Sequence, residues 1–140
     1  MTSPATLAAI RFGTGLRPGF PAASPEAMLT SLSDPDRMAA AFPLDSYATR
    51  AAFRMEYTRL QRARADSDEA EAAFREMRDA LNREVLNQMA VTLARGVADP
   101  YGLRERLVWF WADHFTTVGG RGFMRGAIAA YIDETIRPHV

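Results

Sequence analysis

The amino-acid sequence predicts an all-α protein, an irregular helical bundle, and two observations carry this prediction. Apolar residues recur at spacings of three and four from Ser3 onward, and no run shows the two-residue alternation of a β-strand. Near the N-terminus a small polar residue precedes proline three times, at Ser3-Pro4, Ser24-Pro25 and Asp34-Pro35. An N-cap oxygen followed by proline at the first helical position is typical of helix starts. The sequence therefore predicts three short N-terminal helices.

The segment from Phe12 to Pro21 connects the first two of these helices and carries three glycines and two prolines. It lacks the Gly-Lys-Ser/Thr signature of a phosphate-binding loop, and no strand precedes it. We interpret it as a connector that wraps the core with Phe12, Leu16 and Phe20. Phosphate binding by its glycines is the alternative.

A long helical hairpin follows. A helix from about Ser46 to Arg64 is interrupted at Asp66-Ser67-Asp68, where Asp66 and Glu69 resemble a capping box. The second helix repeats apolar residues at spacings of three and four, and Gly96 is a candidate for its C-terminal end. These apolar residues are Phe74, Met77, Leu81, Val85 and Met89.

A central aromatic helix is predicted from about Pro100 to Thr117, between the start signal Asp99-Pro100 and the glycine pair Gly119-Gly120. Its first apolar stripe ends in a histidine. Its second stripe widens the apolar face, so that the residues left for water are Arg104, Glu105, Ala112 and Asp113. The first stripe is Leu103, Leu107, Phe110 and His114, and the second is Val108, Trp111 and Phe115.

His114 has two interpretations. As a core histidine, its ring nitrogens would be satisfied by a backbone carbonyl or a carboxylate. As a functional residue, it would be a general base or a metal ligand, with Arg106 as the second candidate catalytic residue. Metal binding is disfavoured because His139 is the only other histidine and no His-Glu-x-x-His motif exists. We therefore predict no metal site and no cofactor.

A C-terminal helix is predicted from Arg121 to Arg137, and Pro138 ends it. Its apolar residues are Phe123, Ala127, Ile128, Tyr131, Ile132 and Ile136. Because the chain stops two residues after Pro138 without a polar tail, we expect residues 1–140 to form one helical domain that is the N-terminal fragment of a larger one.

Composition narrows the classes of function. The chain has 17 basic and 17 acidic residues, so its zero net charge argues against a nucleic-acid partner or an anionic membrane partner. All the basic residues are arginine. Cysteine is absent, which excludes disulfides and thiolate catalysis. The N-terminus has no basic region followed by an apolar run, so we expect a cytoplasmic protein.

Three segments resemble a known family: Ile10-Arg-Phe-Gly, the run from Arg104 to Thr117, and Ile136-Arg-Pro-His. The chain resembles the bacterial family catalogued as domain of unknown function 1800. The matching positions here are Arg11, Phe12, Gly13, Arg106, Trp111, His114 and Phe115. The resemblance covers only the N-terminal part of the family's domain, since a later block with Asn-Glu-Asn is missing, and it implies no established activity.

These observations favour a helical structural or interaction module of a bacterial protein. The alternative is an enzyme whose active site is completed by a missing C-terminal part, with His114 contributing. The expected partner is the rest of the full-length chain, or a second copy that covers an exposed apolar face and so forms a homo-oligomer.

Overall fold

A computed structural model of the chain describes residues 2–115 and 124–140, without the side chain of Arg125. The described residues form helices and contain no strand, so the predicted all-α class is confirmed. The seven α-helices are α1 (Pro4–Arg11), α2 (Pro25–Thr30), α3 (Arg37–Ala41), α4 (Tyr47–Ala63), α5 (Asp68–Ala98), α6 (Leu103–His114) and α7 (Met124–Tyr131). A 3₁₀ turn (Ser31–Ser33) follows α2, and α7 continues into a π-helical segment (Ile132–Ile136) and a second 3₁₀ turn (Arg137–His139).

Two of the three predicted N-terminal helix starts are confirmed. The side chain of Ser3 accepts a hydrogen bond from the Thr6 N–H, and that of Ser24 accepts one from the Ala27 N–H. The third prediction is wrong by two residues, because Asp34 is extended and Asp36 caps α3. The Asp36 carboxylate accepts from the Ala39 N–H at 2.9 Å, which satisfies an amide that has no partner within the helix.

The predicted hairpin is confirmed as α4 and α5. The rings of Tyr57 and Phe74 meet edge to face with centroids 5.5 Å apart, and Leu81 completes the buried cluster between the helices. Two details differ from the prediction. Ser67, not Asp66, caps α5 by accepting from the Ala70 N–H, and α5 continues beyond Gly96 to Ala98.

A second buried cluster joins the N-terminal helices to α6 and consists of Ala8, Met28 and Leu103. The glycine-rich connector reaches this cluster through backbone contact: a Cβ at Gly102 would lie 2.6 Å from the Thr14 backbone nitrogen. Gly102 has φ +72° and stands at the start of α6. The predicted start at Asp99-Pro100 is therefore wrong, and the Asp99 carboxylate instead accepts from the Tyr101 N–H.

The predicted role of the connector's large side chains is also wrong. Phe12, Leu16 and Phe20 are 59%, 55% and 64% exposed, so they do not wrap the core. The connector is held instead by Arg17, whose guanidinium donates to the Ala98 carbonyl at the end of α5 and lies 4.6 Å from the centre of the Phe20 ring.

The predicted C-terminal helix is confirmed from Met124 onward, with a change from α to π geometry at Ile132. Ala127, Ala130 and Ile136 are buried against the rest of the bundle. The predicted positions Thr117, Gly119, Gly120, Arg121 and Phe123 lie outside the described residues.

Candidate functional site

An apolar cleft lies between α5, α6 and the C-terminal helical segment. Its volume is about 460 Å³. Leu44, from the segment before α4, and Trp109 of α6 are among the residues that line it. The remaining apolar walls are formed by Val85, Met89, Leu93, Val108, Ala112, Ile128, Ala129 and Ile132.

Arg95 lies in the cleft wall and connects three parts of the chain. Its side chain is 3% exposed. The guanidinium donates to both carboxylate oxygens of Asp133, at 2.7 and 2.9 Å, and also to the Phe42 carbonyl at the end of α3. This fork of planar donors matches a carboxylate better than a lysine ammonium would. Arg95 therefore fixes the position of the π-helical segment against α5.

Arg137 forms a second buried charge cluster, between two carboxylates. Its guanidinium donates to both oxygens of Glu105 on α6 and to both oxygens of Asp36, the N-cap of α3. Glu105 is 1% exposed and Arg137 is 4% exposed. The expectation that Glu105 faces water is therefore wrong, because its side chain lies on the cleft face of α6, where Arg137 neutralises it.

The pKa values of this cluster reflect the competition between burial and pairing. Burial acts to raise the pKa of Asp36, but the hydrogen bonds from Arg137 and the Ala39 N–H outweigh it, so this pKa lies below its ordinary value. Burial acts to lower the pKa of Arg137, and the bonds to Glu105 and Asp36 raise it above its usual value. Pairing thus favours the charged forms of both Asp36 and Arg137.

Gly96 and Trp109 set the spacing between α5 and α6. A Cβ at Gly96 would lie 2.6 Å from the edge of the Trp109 ring, which is closer than real Cβ atoms approach. Gly96 therefore serves close packing inside α5 and does not end it. The indole Nε1 of Trp109 is buried and has no hydrogen-bond partner among the described residues.

The second half of α5 carries an exposed apolar row beside the cleft, which we call the uncharged stripe. It consists of Leu86, Met89, Leu93 and Val97, which are 65%, 58%, 63% and 68% exposed. Spacings of three and four place them on one face of the helix. Between residues 85 and 98 the only charged residue is Arg95, which is buried. An apolar row without charges is unusual for a surface that faces water.

His114 is not in the core, so its interpretation as a buried histidine is wrong. It is exposed at the C-terminal end of α6, and its ring centroid lies 4.9 Å from that of Phe110 and 5.8 Å from that of Trp111. The predicted stripe is real, but Leu103 and Leu107 pack on the N-terminal cluster, while Phe110 beyond them is 51% exposed. The stripe extends past the surface that covers its first half.

Arg106 is also exposed, on α6. It precedes His114 by eight residues, a distance of about 12 Å along an α-helix. The structure therefore does not bring the two candidate catalytic residues together. Within the described ranges, no group of three or more His, Asp or Glu side chains is arranged to hold a metal ion.

Sequence reasoning missed the buried charges of the cleft. Glu105, Val108 and Ala112 follow one another at spacings of three and four, which is a helical face that the dominant aromatic stripes concealed. The partner Arg137 is 32 residues away along the chain. Nothing local in the sequence indicates that this distant arginine neutralises Glu105.

The fold and site together define a class of protein: a helical bundle with an apolar cleft whose walls are joined by buried arginine–carboxylate pairs. Residues 8–140 match the family described as "Protein of unknown function (DUF1800)", and the chain belongs to that family. No curated protein matches the chain, and no solved structure does. In the part of the chain that the structure describes, every helix is too short or too polar to cross a bilayer.

Proposed function

We propose that this chain is a helical interaction module that pairs with a second copy of itself through the uncharged stripe on α5. The observation that carries the proposal is the exposure of Leu86, Met89, Leu93 and Val97, each more than half exposed, on a helical face without charges. Fully burying one such side chain is worth roughly 1.5–3 kcal/mol.

A second copy is the favoured partner because the stripe is complementary to itself. In a two-fold arrangement the same face meets its own image, so that Leu86 of one copy lies near Val97 of the other when the two helices run antiparallel. Charged residues on such a face would repel their own copies, and this stripe has none. Since four side chains per copy must offset the entropy lost on association, we expect a dissociation constant on the order of micromolar.

The test is sedimentation velocity over a range of protein concentrations. We expect the unaltered chain to form a dimer and Leu86→Glu to stay monomeric, because the substitution places a carboxylate opposite the partner's apolar row. Met55→Glu is the matched control, since Met55 is an apolar residue of α4 with 76% exposure and lies outside the stripe. A monomeric parent at about 100 µM, well above that dissociation constant, would contradict the proposal. Dimers of Leu86→Glu as stable as the parent's would contradict it too.

The second candidate function is an enzyme whose active site includes His114 and is completed by further polypeptide. It is supported by the exposure of His114 at the end of α6, among the rings of Phe110, Trp111 and Phe115, where a substrate or another segment has access. The test is an activity screen and a metal analysis that compare the full-length protein with His114→Ala and Arg106→Ala. If His114→Ala changes no activity and no metal content, this candidate is rejected.

The location proposed for the module is the cytoplasm. The chain has no cysteine, which is compatible with the reducing conditions of the cytoplasm, where disulfides are rare. Fractionation of the native cells would test this location.

A further inference from the structure

A small pocket lies where the glycine-rich connector meets the end of α5. Its volume is about 200 Å³, which is below the range of about 300–1,000 Å³ that is typical of drug-sized ligands. If each non-hydrogen atom takes roughly the 30 Å³ share of a liquid water molecule, the pocket holds about six or seven atoms. Its apolar lining includes Leu16, Phe20 and Tyr101, and the charged residues that line it are Arg17 and Asp99.

Asp99 brings to this pocket a buried carboxylate whose charge has no partner. The residue is 7% exposed. Its Oδ1 accepts from the Tyr101 N–H at 3.0 Å, and no other described residue donates to the carboxylate. Oδ2 is therefore left without a donor in the described part of the chain. It is not closed to solvent, unlike the Nε of Arg50 and the Nε1 of Trp109, so a bound molecule can reach it.

Arg17 brings the opposite charge and is also unpaired. Its Nη1 donates to the Ala98 carbonyl at 3.4 Å, and its guanidinium carbon lies 4.6 Å from the centre of the Phe20 ring. Its Nε and Nη2 donate to no acceptor in the described ranges, and it forms no ion pair there. Ala98 directly precedes Asp99 in the chain. The free guanidinium nitrogens and the free carboxylate oxygen therefore border the same pocket.

The two opposite charges determine which ligand the pocket favours. A simple anion such as phosphate would be attracted by Arg17 but repelled by Asp99, which argues against phosphate binding at the connector. A simple cation would meet the reverse arrangement. A buried charge without a counter-charge is costly, so the favoured ligand carries an ammonium and a carboxylate a few ångströms apart. Each would then form a charge-assisted hydrogen bond, and the planar fork of arginine matches a carboxylate at both oxygens.

We propose that the pocket binds a small zwitterionic α-amino acid. Its ammonium donates to Oδ2 of Asp99, and its carboxylate accepts from Nε and Nη2 of Arg17. Five non-hydrogen atoms of such a ligand belong to its main chain, so the volume leaves about one or two for the side chain, as in alanine or serine. The site is independent of the proposed dimer contact, because no residue of the uncharged stripe lines the pocket.

Three probes with similar carbon frames separate the two charges. L-Alanine carries both charges, ethylamine carries only the ammonium and propionate carries only the carboxylate. Added to the ¹⁵N-labelled protein, L-alanine should shift the amide signals of Gly15, Phe20 and Tyr101 saturably, with a dissociation constant below about 1 mM. Ethylamine and propionate should each bind at least about tenfold more weakly, because each leaves one charge of the pocket without a partner.

Two conservative variants exchange the preference between these probes. Asp99→Asn keeps an acceptor for the Tyr101 N–H, and Arg17→Gln keeps a donor for the Ala98 carbonyl. Each should weaken the binding of L-alanine at least about tenfold. Asp99→Asn should also bind propionate more tightly than the parent does, and Arg17→Gln should bind ethylamine more tightly. Damage to the fold would not produce two opposite gains, so this exchange tests the charges themselves.

Arg78→Gln and Asp79→Asn are the matched controls, because they remove the same charges from an exposed pair in the middle of α5. Both should bind all three probes as the parent does. The proposal is overturned if L-alanine causes no saturable shift up to about 10 mM, ten times the expected limit. It is also overturned if propionate or ethylamine binds the parent as tightly as L-alanine, or if the order of the probes is unchanged in folded Asp99→Asn and Arg17→Gln. If one variant does not fold, the other variant and the three probes on the parent decide.

Discussion

The two halves of α5 reach stability by opposite arrangements. Residues 68–84 carry nine charged side chains and bury Phe74 and Leu81 against α4. Residues 85–98 carry one charged side chain, Arg95, and bury it, while the uncharged stripe is exposed. Exposure therefore does not follow polarity along this helix. It follows what the neighbouring elements offer. Apolar side chains of α4 face Phe74 and Leu81 in the first half, which ends at Glu84 in a pair with the buried Arg50 of α4. Carbonyl and carboxylate acceptors surround Arg95 in the second half.

The largest expected effect comes from removing a charge in the second half of α5. Arg95→Ala leaves the Phe42 carbonyl without its donor and Asp133 without its counter-charge, and we expect a loss of about 3 kcal/mol in the free energy of unfolding. In the first half, Arg75→Ala should cost less than about 0.5 kcal/mol, because Arg75 is exposed and pairs with Glu71 at 3.5 Å. Urea denaturation measures both variants.

Equal losses for Arg95→Ala and Arg75→Ala would break the comparison between the two halves. They would mean that the burial of Arg95 contributes nothing beyond an ordinary surface pair. The comparison would be sharpened if Asp133→Asn lowers the free energy of unfolding almost as much as Arg95→Ala does. Most of the effect would then belong to the Arg95–Asp133 pair.

The same contrast explains which parts of the fold the sequence predicts. Local signals are read correctly where one short segment contains both partners: Ser3, Ser24 and Ser46 cap helices through amides three residues ahead. The apolar spacing of the first half of α5 also predicts its burial, because Phe74 and Leu81 need only a neighbouring apolar helix.

The cleft is not predictable in this way. Arg95 and Asp133 are 38 residues apart, and Arg137 and Asp36 are 101 apart. Charged side chains are almost never fully buried unless they are paired. Without knowledge of the distant partner, each of these residues is therefore expected on the surface. His114 continues the spacing of a core stripe, yet it is exposed. Spacing along one helix does not show where the helices that cover it end.

An intermediate effect is expected at Gly96, where the two helices of the cleft touch. In an open helix interior, Gly→Ala would stabilise by roughly 0.5–1 kcal/mol. Gly96→Ala should instead destabilise by about 1–2 kcal/mol, because the new Cβ would lie 2.6 Å from the Trp109 ring. In a Trp109→Phe background the smaller ring removes this contact, and the same substitution should become neutral or stabilising.

The sign of the Gly96→Ala effect in the two backgrounds, measured by thermal and urea unfolding, decides this point. A destabilisation of equal size in both would show that the cost arises within α5 and not from its contact with α6.

The smallest expected effect is a difference in pH dependence between two carboxylates: Asp36, which pairs with the buried Arg137, and Glu69, in the first half of α5. The pKa of Asp36 lies below its unfolded value because the hydrogen bonds from Arg137 and the Ala39 N–H outweigh its burial. A lowered pKa in the folded state contributes stability above the unfolded pKa of about 3.9, and this contribution is lost as the pH falls through the folded value. Asp36→Asn keeps a good N-cap but loses the charge, so it should cost about 1 kcal/mol near neutral pH.

The gap in urea midpoint between the parent and Asp36→Asn should therefore be widest above about pH 5 and should narrow below about pH 4. Glu69→Gln is the control from the first half of α5: the pKa of Glu69 is also lowered, by hydrogen bonds at the start of the helix, but the side chain is solvated. Its midpoint should follow that of the parent much more closely at every pH, because a solvated charge contributes little. A gap for Asp36→Asn that stays constant through the acid range would show that the bond to Arg137 does not depend on the charge of Asp36.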